Sequence, residues 1–64
     1  MTPREIGALQ NARRLLAEIV EGYLRDACLI DKATGEPIRE TLDDLTRTGV
    51  EDLEEAIRQI DAVL

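Results

Sequence analysis

The sequence predicts an all-α protein: an antiparallel helical hairpin of a long N-terminal helix and a shorter C-terminal helix, joined by a loop or small hairpin and a short helix. Three observations carry that prediction. Ile6, Leu9, Leu16, Val20, Tyr23, Ala27 and Ile30 recur at steps of three and four, broken only by Arg13, which is the spacing of a helix packed along its length against another helix. Val50, Leu53, Ile57, Ile60 and Leu64 repeat the pattern near the C-terminus. Between them the periodicity stops, over residues 28–40.

Each element has its own start signal. Thr2-Pro3-Arg4-Glu5 opens a helix over about residues 3–27: Thr2 and Glu5 form a capping box, and Pro3 stands where a missing amide costs nothing. A second apolar row, Ala8, Ala12, Leu15 and Ile19, widens its apolar arc. Arg14 with Glu18 and Glu21 with Arg25 are four apart on the polar side and give modest support. Gly22 costs about 1 kcal/mol relative to Ala inside a helix, which marks either the close approach of a neighbour or a weak point. Arg13 interrupts the apolar row. Either its stem packs while the head reaches the edge, onto an acid of the last helix, or it sets register and partner, as polar residues do in coiled-coil seams.

In the centre, Cys28-Leu29-Ile30-Asp31 and Glu36-Pro37-Ile38-Arg39 flank Lys32-Ala33-Thr34-Gly35, where the glycine suits a positive φ. Residues 28–40 are therefore a loop with hairpin character, since Pro37 suits only an edge strand. Thr41 caps a short helix over about 41–46, and Thr48 with Glu51 caps the last helix over about 49–63.

Sixty-four residues form a single small domain, 1–64. So short a chain draws no more than about 3–5 kcal/mol from its own core. One cysteine excludes an intrachain disulfide, and without histidine or a cysteine cluster there is no structural zinc site. The first helix is also much longer than its partner. Both points lead to the expectation of a homo-oligomer, with Ile6, Leu9, Arg13, Leu16, Val20 and Tyr23 as the seam.

The net charge of −6 is uneven: −1 over residues 1–37 and −5 over residues 38–64. Such a chain repels phosphate backbones and anionic lipid, so no direct nucleic-acid or membrane contact is expected, and a basic protein surface is the natural partner. Equally, acidity keeps a small protein in solution. No run approaches a membrane span and no signal peptide opens the chain. With a lone reduced cysteine, a cytoplasmic location is expected.

The absent chemistry narrows the function. With neither histidine nor serine, the common nucleophile–base arrangements cannot be built, so the expectation is no enzyme. Cys28 has no histidine to activate it. Asp31-Lys32-Ala33-Thr34-Gly35 begins like a calcium loop but continues with Ala, Gly and Pro at liganding positions, and no metal or cofactor is expected. In size and charge the chain resembles acyl and peptidyl carrier proteins. Those load a cofactor on a serine, which this sequence lacks.

What remains is function by surface contact. The first expectation is a protein-binding module, an inhibitor whose Glu40, Asp43, Asp44, Glu51, Asp52, Glu54 and Glu55 occupy a basic nucleic-acid-binding surface of another protein. In charge and size alone this is similar to small phage-encoded antagonists of host defence nucleases. The alternatives are a homo-oligomeric assembly protein working through the first-helix seam, and an antitoxin-like binder of a basic toxin.

Overall fold

The computed structural model describes Met1–Leu64. Thr2 accepts from the Glu5 amide and the Glu5 carboxylate accepts from the Thr2 amide, both at 3.2 Å, closing the capping box. Helix α1 runs from Pro3 to Asp26 and ends on Ala27. At about 1.5 Å per residue its 24 residues are about 36 Å long.

The connecting segment forms a hairpin-like turn without strands. The Asp31 carboxylate accepts from the amides of Ala33 and Thr34, and Gly35 takes φ 74°. Backbone pairs Ile38–Leu29 and Asp31–Glu36, each 2.8 Å, flank a single antiparallel bridge between Ile30 and Pro37. Pro37 lacks an amide and cannot extend the ladder, so the turn folds the chain back and no sheet grows from it.

The expected short helix over 41–46 and the helix start at Thr48-Gly49 are both corrected. A single turn of 3-10 helix spans Arg39–Thr41, Leu42 is extended, and helix α2 runs from Asp44 to Val63. The reason is a competition for caps. Asp43 accepts from both the amide and the hydroxyl of Thr46, at 2.8 and 2.9 Å. Thr41 commits its hydroxyl elsewhere, accepting from the Leu29 amide and donating to the Ile38 carbonyl. Once α2 starts at Asp44, unbroken backbone hydrogen bonding carries it through Gly49 despite the ~1 kcal/mol propensity penalty.

The two helices pack antiparallel, side by side. Val20 of α1, Val50 of α2 and Leu42 of the connecting segment are the buried core, with Leu24, Cys28, Leu53 and Ile57 packed around them. The Cys28 thiol donates to the Leu24 carbonyl at 2.8 Å. Further along, Arg13 bridges to Asp61, Nε–Oδ1 2.5 Å and Nη2–Oδ2 3.1 Å. No helix is long and apolar enough to cross a membrane.

Candidate functional site

Taking about 100° per residue, the residues of each helix fall on three arcs: one facing the other helix, one polar and one apolar. On α1 the arc toward α2 is marked by Val20 and Arg13, and Leu9 and Leu16 lie close to that direction and are half-buried, as is Ile6. Five of the six residues expected to form an intermolecular seam therefore lie on the side of α1 that packs within the chain. The sixth, Tyr23, is exposed. The physical reason is that α2 claims the row closest to ideal a/d spacing, and the second row is left outside. Arg13 reaches an acid of the last helix, Asp61, at the solvent-exposed edge of the helix pair.

The acid-rich positions divide in the same way. Asp43 is the α2 cap. Asp44 pairs with Arg47 at 2.6 Å and Glu55 with Arg58 at 2.7 Å, one turn apart on α2. Glu54 receives both arms of Arg39 at 2.7 Å and ties the connecting segment to α2. Glu40, Glu51 and Asp52 are exposed and outside any ion pair. Glu40 and Glu51 share the rim of a 220 Å³ groove with Arg39 and Arg47. The seven acids thus do not form one row. Asp44, Glu51 and Glu55 share the polar arc of α2, joined at the groove by Glu40, while Asp52 turns toward the apolar side.

The ion pairs set the electrostatics. The Arg39 guanidinium, through its hydrogen bonds, holds the Glu54 carboxyl below the usual range, against a smaller opposing effect of burial. Arg13 does the same to Asp61, Arg58 to Glu55, and the Thr46 amide and hydroxyl to Asp43. A carboxylate with a lowered folded-state pKa contributes stability above its unfolded pKa, and that contribution is lost as pH falls through the folded value. Glu54→Gln is therefore expected to destabilise at pH 7 by at most about 1 kcal/mol, since the pair is partly solvated. The gap to the unaltered chain should close as pH drops below the carboxylate range in urea titrations. A gap of constant size in acid would show that charge is not what Glu54 contributes.

The other side of the hairpin is apolar. On α1 the arc from Ala8 through Ala12, Leu15 and Ile19 to Tyr23 is uncharged along its middle and bounded by Glu5 and Asp26 at the two helix ends, and Leu15, Ile19 and Tyr23 are exposed. It continues on α2 with Leu45, which is 88 % exposed. Tyr23 joins the two helices, standing between two hollows. One, of 420 Å³, is lined by Ile19, Gly22, Ala27 and the carboxylate-bearing Asp26. The other, of 440 Å³, is lined by Leu45, Gly49 and Leu53. Gly22 has nothing closer than the tip of Arg25 at 4.0 Å, and Gly49 has no neighbour within 4 Å. This face was legible in the sequence as the second apolar row of α1; the continuity of its α2 half was hidden by the misplaced helix start.

Compared with known protein families, curated proteins and solved structures, the chain matches none.

Proposed function

We propose that the chain is a small, non-enzymatic protein–protein interaction module that presents an acid-rich side to a basic protein partner. The observation that supports this is the separation of the two chemistries onto opposed sides of a two-helix frame. Asp44, Glu51 and Glu55 share the polar arc of α2 beside Glu40, while Leu15, Ile19, Tyr23 and Leu45 occupy the opposite side. A side of this kind attracts a basic surface at long range and is weakened by salt. Inhibition by occupying a nucleic-acid-binding surface is one use of such a side.

The geometry also selects the variants that test it. Glu54 is unsuitable, because reversing it breaks the tie to Arg39 as well as changing the surface. Glu40, Glu51 and Glu55 leave the core untouched. Affinity capture from a nuclease-treated lysate, with the E40K/E51K/E55K chain alongside, should retain a basic protein on the natural chain, release it at raised salt, and lose it on the variant. Retention of the same protein by the variant would remove the acidic side from the interaction.

A second reading, a homo-oligomeric assembly protein, is favoured by the exposed apolar side.

A further inference from the structure

We infer that the apolar side of the hairpin is covered by a second copy of the same chain, two hairpins closing face to face into a four-helix bundle. The first support is area. A folded monomer of 7.2 kDa exposes about 4,100 Å², whereas this chain exposes 4842 Å². The surplus, about 700 Å², is close to the ~800 Å² that each partner contributes to a standard protein interface. Shape agrees. The radius of gyration is 14.0 Å, against about 11 Å for a compact domain of this length. The molecule measures 44 × 23 × 16 Å, a flat slab with both helices in one layer. Domains ordinarily bury their core between two layers, and here the second layer is missing.

Three features favour a second copy over an unlike chain. The side is a ridge, Tyr23, between two hollows floored by Gly22 and Gly49, and a two-fold axis lets each copy's ridges enter the other's hollows. Each helical glycine costs about 1 kcal/mol relative to Ala, and within this chain only the tip of Arg25 comes near the space at Gly22 and nothing near that at Gly49. Charge is compatible with it. Two chains of −6 repel each other overall, but Asp44, Glu51 and Glu55 lie on the far side, and of the acids that border the contact Asp26 is paired with Arg25, which leaves Asp52. The outer surface of the dimer would still carry both acid-rich sides.

The test is the mass and melting of the unaltered chain. Sedimentation equilibrium should give twice 7.2 kDa, and the melting temperature should rise with protein concentration. Salt should strengthen the association by screening the net repulsion, opposite to its effect on a basic partner, so the two proposals fail separately. Ile19→Asp should weaken the dimer about 30-fold or more. Gly49→Gln guards against simple misfolding, because a Cβ added there meets no atom within 4 Å and glutamine favours helix over glycine. It should leave a helical monomer, while E51K/E55K should stay dimeric. A monomer whose melting is independent of concentration overturns the inference and leaves this side to an unlike protein. A dimer indifferent to both Ile19→Asp and Gly49→Gln overturns it equally, placing the contact elsewhere.

Discussion

Val50→Asp is expected to abolish the fold. Val50 is the most completely enclosed side chain, 1 % exposed, and it meets Val20 of α1 and Leu42 of the connecting segment at the point where all three parts of the chain converge. A carboxylate there has no free cation to pair with, since the two arginines that line the same groove, Arg39 and Arg47, are already bound to Glu54 and Asp44. Burying an unpaired charge costs several kcal/mol, while a chain of this length draws about 3–5 kcal/mol from its own core. Far-UV circular dichroism should show loss of most helix at 25 °C. Val50→Ala, which removes apolar contacts and adds no charge, should cost only about 2 kcal/mol and keep a cooperative urea transition. A Val50→Asp chain that remained helical and melted cooperatively would show that the core lies elsewhere.

Leu42→Ala should cost about 3 kcal/mol, within the range for a buried leucine. Leu42 is 4 % exposed and is the one residue of the connecting segment that is fully buried. It is extended between the 3-10 turn and the Asp43 cap, so it anchors the segment to both helices. The loss should therefore be local as well as global. Amide exchange at Leu29, Asp31 and Ile38, whose hydrogen bonds hold the turn, should accelerate more than exchange in the middle of α1. Leu29→Ala is the control, since Leu29 is 67 % exposed and its truncation should change stability by no more than about 0.5 kcal/mol. Equal losses at the two leucines would mean that Leu42 is not the anchor.

The comparison of these leucines shows where sequence reading succeeds and where it stops. The start of α1 was legible to the residue, because Thr2, Pro3 and Glu5 make a local motif whose partners lie within one turn. The turn around Gly35 was legible for the same reason. The start of α2 was not. Thr41, Asp43 and Thr48 are all competent caps by local chemistry, and the choice fell to Asp43 because Thr41 is engaged twelve residues away by the Leu29 amide. A cap removed from competition by a distant hydrogen bond leaves no trace in local sequence. Misplacing that start put Leu45 on a separate short helix, so its continuity with Gly49 and Leu53 on one face of α2 was hidden.

The acidic positions show the same limit. Their number and their concentration after residue 38 are sequence facts, and they suggested seven acids acting together on a basic partner. Counting charges does not reveal which are engaged. Arg39 reaches Glu54 across fifteen residues and Arg13 reaches Asp61 across forty-eight. Of the seven, Asp43, Asp44, Glu54 and Glu55 already serve the fold or pair with neighbours, and Glu40, Glu51 and Asp52 are outside any ion pair.

By itself, the sequence determined that two amphipathic helices form, where the first begins, that the chain turns back at Gly35, and that α1 carries a second apolar row. These follow from caps, periodicity and backbone freedom, all of which act within a few residues. The length excess expected of α1 is not there, because α2 at 20 residues nearly matches its 24. Only the tertiary structure decided which of the two apolar rows faces inward. Periodicity states which residues share an arc; the rotation of α1 against α2 is set by the packing of Val20, Leu42 and Val50 and by the Arg13–Asp61 bridge. That rotation turns Ile6, Leu9, Leu16 and Val20 toward the partner helix and leaves Leu15, Ile19 and Tyr23 outside.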